Sequence, residues 1–98
     1  DCTEHVYREL ACPGYGVPAL DRRRLLSQPL SLQRRLIRRL WKSATGSLQD
    51  LPFHYVETIR ALAAKETGKQ FQCGKACAYT TRTALCMGPA VPRQKRKR

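Results

Sequence analysis

The sequence predicts a mainly α fold: a small helical domain built on an antiparallel helical hairpin, with cysteine-tied terminal segments and a disordered basic tail. Three observations predict it. Two mid-chain segments place apolar residues at helical spacing, five cysteines lie towards the two ends of a 98-residue chain, and the last residues have nothing to bury. The expected division is one small disulfide-stapled domain over residues 1–92 and a basic tail over 93–98.

The opening segment reads as a short helix. Asp1 and Glu4 have the spacing of a capping box, and Cys2, Val6 and Leu10 recur at i, i+4, i+8. Ala11-Cys12-Pro13-Gly14 stops it, and residues 15–18 form a loop. Asp21 can cap a brief basic turn over residues 22–26, which ends at Gln28-Pro29.

From Ser31 the pattern becomes unambiguous. Leu32, Leu36, Ile37, Leu40, Trp41 and Ala44 take one side of a helical wheel, and Arg34, Arg35, Arg38, Arg39 and Lys42 take the other. At 100° per residue the apolar set covers about 180° and the basic set about 140° opposite. Gly46 ends the helix. A second helix follows, with Asp50 as its N-cap, Pro52 in its first turn, and Tyr55, Val56, Ile59, Leu62 and Ala63 as its apolar arc; Gly68 stops it. Helices joined by a few residues are expected to pack as an antiparallel hairpin with Leu32, Leu36, Leu40, Trp41, Tyr55, Val56, Ile59 and Leu62 in the core. Beyond Gly68 the Thr-rich stretch 78–87 fits a frayed helix or a strand. Cys77, Thr81 and Leu85 at i, i+4, i+8 tip the reading towards helix.

Charge sets the partner chemistry. Nineteen Lys and Arg stand against seven Asp and Glu, a net charge of +12. Such a surface attracts polyanions: nucleic acid, sulfated glycan, anionic lipid or an acidic protein face. No apolar run is long enough for a transmembrane helix, so no membrane span is expected. Between Asp21 and Asp50 no acid interrupts the basic residues, so like charges repel along the helix unless something anionic meets them. The stripe carries no aromatic residue on its basic side, which suits rows of phosphate or sulfate better than stacked bases.

The cysteines, Cys2, Cys12, Cys73, Cys77 and Cys86, are dense enough to read as a disulfide scaffold in an oxidising compartment, with one left over. Zinc is the weaker alternative, because the spacing lacks the paired C-x2–4-C knuckles of zinc signatures; no metal and no cofactor is expected. The tail offers Arg93, Lys95, Arg96, Lys97 and Arg98. Arg93-Gln94-Lys95-Arg96 has the R-x-K-R form of a processing site, and the run also suits glycosaminoglycan binding or nuclear import. A chain beginning at Asp1 without Met is expected to be a processed form or a cut piece.

Enzyme signatures are absent. The stretch from Gly68 to Ala76 resembles a phosphate loop, but its gap is one residue too long and Ala76 stands where Ser or Thr should be. The expectation is therefore a non-enzyme: a secreted, disulfide-stabilised ligand engaging an acidic receptor or sulfated glycan through Arg34, Arg35, Arg38, Arg39, Lys42 and the tail. The alternative is an intracellular or viral nucleic-acid-binding accessory protein with reduced or zinc-bound cysteines and a nuclear-localisation tail. A third reading is a proprotein fragment that folds or masks a partner domain.

Overall fold

The computed structural model describes residues 2–47, 51–65 and 68–89. It is an α+β fold, four helices and a four-stranded antiparallel sheet, rather than the expected mainly α hairpin. The helices are α1 (Cys2–Leu10), α2 (Arg22–Leu26), α3 (Leu30–Thr45) and α4 (Phe53–Lys65). The strands are β1 (Ala19–Asp21), β2 (Gln70–Cys73), β3 (Ala76–Thr80) and β4 (Ala84–Pro89), in the order β1-β4-β3-β2.

The sheet sorts its side chains by parity. Leu20, Phe71, Cys73, Ala76, Ala78, Leu85 and Met87 face the helices and join their core with Leu10, Leu25, Leu36, Ile37, Leu40, Trp41, Val56 and Ile59. Ala19, Ala84 and Cys86 lie on the opposite face in a second, smaller cluster with Cys12, Val17 and Tyr79. The chain between α1 and β1 covers that second face. Cys12 N–H donates to Ala19 O and Met87 N–H to Pro18 O, and a β-carbon added to Gly88 would stand 3.1 Å from Val17 Cγ1.

The long basic helix forms where its wheel predicts. Its core side is buried as expected at Leu36, Ile37, Leu40 and Trp41, with Leu32 and Ala44 packed at the margin. Gly46 ends it in the left-handed conformation (φ 69°), its N–H donating to Lys42 O at 2.8 Å. An L side chain is strained at such a φ, which is why glycine stands there. On α4, Val56, Ile59 and Ala63 are buried, and Tyr55 and Leu62 pack partly buried against the core. Asp1, Asp50 and the tail from Arg93 to Arg98 lie outside the described residues.

Three structural expectations are corrected. First, α3 and α4 do not form an antiparallel hairpin, in which the start of one helix meets the end of the other. Arg34, early in α3, reaches Glu57 at 2.8 Å and lies over the Phe53 ring, so the two N-terminal halves are neighbours. Second, the stretch read as a helix over 78–87 is the end of β3, a turn and most of β4. The recurrence that suggested a helix crosses the turn: Cys77 is in β3, Thr81 in the connection and Leu85 in β4, with Cys77 and Leu85 on opposite faces of the sheet, so the spacing of four reflected no single element. The β2–β3 hairpin closes through Gly74-Lys75 with Gly74 at φ 64°, the requirement of a two-residue turn with glycine first.

Third, the cysteines tie nothing: all five are free. Cys73 is opposite Ala76 and Cys77 opposite Gln72 in the hairpin register, which puts the two thiols on opposite faces of the sheet. Cys73 is buried in the main core, where loss of water pushes its thiol up to about 11; burial raises Cys86 as well. Cys73 and Cys86 thus serve as small apolar packing groups with inert thiols. Among the described residues no cluster of three or more His, Cys, Asp or Glu could hold a metal ion.

Candidate nucleic-acid interface

Helix α3 presents its basic arc in three parts, and the structure treats them differently. At 100° per residue, Arg34 and Arg39 lie at the two edges of the arc, while Arg35, Arg38 and Lys42 occupy its middle. The edge residues reach neighbouring helices. Arg34 donates from Nε to Glu57 Oε2 at 2.8 Å, and Glu57 also accepts from Arg60 at 2.8 Å. Two guanidinium groups on one carboxylate hold Glu57 well below its ordinary 4.5, at about 2.

Arg39 does the same towards α1. It donates to both carboxylate oxygens of Glu4, at 2.7 and 3.1 Å, bonds Ser43, and lies 4.5 Å from the centre of the Tyr7 ring. Tyr7 in turn donates from its hydroxyl to Ser43 at 3.0 Å. A bidentate arginine–carboxylate pair fixes direction as well as distance. Two of the five residues assigned to a binding stripe thus hold α3 between α4 and α1.

The middle three are left with their charge in water. Arg35 and Lys42 are exposed and Arg38 is half-buried, and none makes an ion pair among the described residues. The acids among the described residues are engaged elsewhere: Glu4 with Arg39 and Arg8, Glu9 with His5, Glu57 with Arg34 and Arg60, and Asp21 with a helix end. Positions 35, 38 and 42 recur at i, i+3, i+7, so their Cα atoms climb the helix by about 4.5 and then about 6 Å. Together they form one straight row.

A second basic surface is assembled from residues sixty positions apart, and sequence reasoning did not find it. Strand β1 pairs with β4, Asp21 opposite Ala84, and Arg22 N–H donates to Thr83 O at 2.9 Å. This pairing sets α2 beside the β3–β4 turn and opens a cleft of about 810 Å³ lined by Asp21, Arg22, Arg23, Arg24, Arg82 and Thr83, with Ala63 of α4 among its walls. Asp21 caps α2 as the sequence predicted, its Oδ1 accepting from Arg24 N–H at 2.9 Å. Arg22 is a structural arginine: Nε donates to Ala63 O at 2.6 Å and Nη1 to Thr81 O at 2.8 Å. Ala63 lies in the last turn of α4, where carbonyls lack helical partners, so Arg22 both satisfies and electrostatically complements that end.

Thr81 Oγ1 accepts from Thr83 N–H and Ala84 N–H, and the Tyr15 and Thr83 hydroxyls lie 3.1 Å apart. The turn carrying Arg82 is therefore held in place. Arg23, Arg24 and Arg82 border the cleft, and none of them forms an ion pair with an acid among the described residues. The signal for this cleft was half visible, since Arg22-Arg23-Arg24 is conspicuous in the sequence. Its partner Arg82 is set beside it only by strand pairing.

No helix among the described residues is long and apolar enough to cross a membrane. The model of one protein family, described as the TilS substrate binding domain, matches residues 20–85. No curated protein matches the chain. The family match and the unbridged cysteines together overturn the expected secreted, disulfide-stabilised receptor ligand and its extracellular location. Nuclear import, the alternative given for the tail, gains no support from either. The match begins within β1 and ends within β4, enclosing α2, α3, α4 and both basic surfaces. Matched over most of its length, the chain belongs to the family of the TilS substrate binding domain.

Proposed function

We infer that this chain is an RNA-binding module that grips tRNA by its backbone phosphates and presents it to a modifying enzyme. The family's domain is the substrate-binding part of a tRNA-modifying enzyme, and the reading assigns binding, not a chemical step, to this chain. The observation that carries it is the row Arg35–Arg38–Lys42, which makes no ion pair among the described residues and is flanked by arginines that are locked into ion pairs.

Phosphate contacts position a nucleic acid, and they do so best from a surface that does not itself move. Arg34 and Arg39 fix the helix that carries the row, so its charges meet the backbone at fixed spacing. Arg23, Arg24 and Arg82 supply a second point of contact, which sets orientation as well as affinity. The α3 row lies in mid-helix, away from the helix start that a base-reading side chain would use, so discrimination there rests on the shape of a folded RNA more than on its sequence.

The test is direct titration of a labelled tRNA transcript, followed by fluorescence anisotropy. Saturable binding is expected, tighter than for a single-stranded RNA of equal length. Failure to bind tRNA even at low ionic strength overturns the reading.

A further inference from the structure

Phe53 is the most exposed large apolar side chain among the described residues, with 55% of its surface in water, at the first position of α4. A single exposed phenylalanine is ordinary on a protein surface. This one is held and flanked in a particular way. The Arg34 guanidinium carbon lies 5.0 Å from the ring centre, and Arg34 is itself fixed by Glu57, which Arg60 also grips. The ring therefore has a cationic group against it while it keeps more than half of its surface in water.

The neighbourhood on α3 supplies the rest. Leu30, one turn before Arg34, is 43% exposed and extends the apolar surface on that side. Arg38, one turn after Arg34, leads into the unpaired row. An aromatic ring beside backbone-binding cations is the arrangement that holds unpaired nucleotides: cations take the phosphates and the ring takes the base. The basic stripe of the sequence lacked an aromatic residue because the ring comes from the next helix.

We propose that Phe53 is a stacking platform for one unpaired base of an RNA whose backbone lies along Arg35, Arg38 and Lys42, with Arg34 as the residue that positions the ring. This rests on the RNA-binding reading above. The surface chemistry favours a base over an apolar protein segment, because a protein partner covering Phe53 and Leu30 would also bring unpaired cations out of water. Phenylalanine has no hydrogen-bonding group, so the platform accepts any base and favours purines, which offer the larger π-face.

The experiment uses the full chain and two RNA probes of equal length: a single strand carrying one fluorescent adenine analogue, and a blunt duplex. Phe53→Ala is expected to weaken single-strand binding about 5- to 100-fold, the range that base–aromatic stacking carries. Duplex binding should change less than about two-fold, and the salt dependence of both should stay as in the wild type. Phe53→Trp should restore single-strand affinity and the quenching of the analogue that stacking produces.

Equal losses on the two probes, or no loss on the single strand, overturn the proposal. If the wild type binds both RNAs with steep salt dependence while Phe53→Ala is silent, only the stacking platform falls. If the wild type binds neither RNA, the RNA reading falls with it.

Discussion

On the basic arc of α3 the edge residues Arg34 and Arg39 each have an arginine of the middle, Arg35 and Arg38, as chain neighbour, yet edge and middle do different work. Arg34 and Arg39 point towards neighbouring helices and meet carboxylates there. Arg35, Arg38 and Lys42 meet no acid among the described residues. Charge in a sequence is therefore ambiguous until the neighbours are known. An arginine within reach of a buried-edge carboxylate is part of the scaffold, and one a hundred degrees around the helix is available to a ligand.

The comparison makes graded predictions. The largest effect lies on the third side of the helix, the buried one. Trp41, 7% exposed in the main core, should lose about 3–5 kcal/mol of folding stability on replacement by Ala, read from urea denaturation. A loss below about 1 kcal/mol would mean that the core side has been misassigned.

Next comes the middle row. Replacing Arg35, Arg38 and Lys42 together by Ala should abolish most RNA affinity at physiological salt while leaving stability unchanged or slightly raised. The rise is expected because like charges three and four residues apart repel. Unfolding of this variant would erase the distinction between edge and middle.

The edges should show the reverse pattern. Arg39→Ala removes the Glu4 pair and the contact with the Tyr7 ring, so thermal stability should drop by a small fraction of the Trp41→Ala effect. RNA affinity should change far less than in the triple variant. Equal losses of affinity would make Arg39 a ligand contact as well.

Glu57 gives a pH test of the other edge. Its carboxyl titrates at about 2 in the folded protein and near 4.5 ordinarily, so the native state favours the charged form. That stability is complete above about pH 4.5 and is lost as pH falls towards 2. Glu57→Gln should flatten the acid limb of the stability profile in this window. An unchanged acid limb would show that the two arginine contacts carry no stability.

The helical half of this contrast was legible in the sequence, and the sheet was not. A sixteen-residue helix with separate apolar and basic sides leaves a period of 3.6 that no strand can imitate, and Gly46 marks its end. Strand β4 leaves no period at all, because residues 84–88 are buried on both faces, between the helices and the covering chain. The Gly-Lys pair between Cys73 and Ala76 was the hairpin signal that could have been used. The cysteine count misled for a related reason: a buried cysteine is a small apolar side chain, and density alone does not distinguish packing from bridging. Intact mass after alkylation in denaturant without reductant should show five modified thiols, and any shortfall would reinstate a disulfide.

The basic residues of α3 were legible as a set, but not their division. Nothing near Arg34 in sequence announces Glu57 or Phe53, and nothing near Arg39 announces Tyr7. The cleft was beyond reach for the same reason, since Arg82 joins Arg22, Arg23 and Arg24 only through the pairing of β1 with β4.

The central claim is that the middle of the arc holds phosphates, and its most direct test is the salt dependence of RNA binding. The logarithm of the affinity for a tRNA transcript should fall linearly with the logarithm of salt concentration, and the triple alanine variant should lose about three from the magnitude of that slope. Arg39→Ala should leave the slope as it is. Identical slopes for the wild type and the triple variant would contradict the account, because the row would then contact no phosphate.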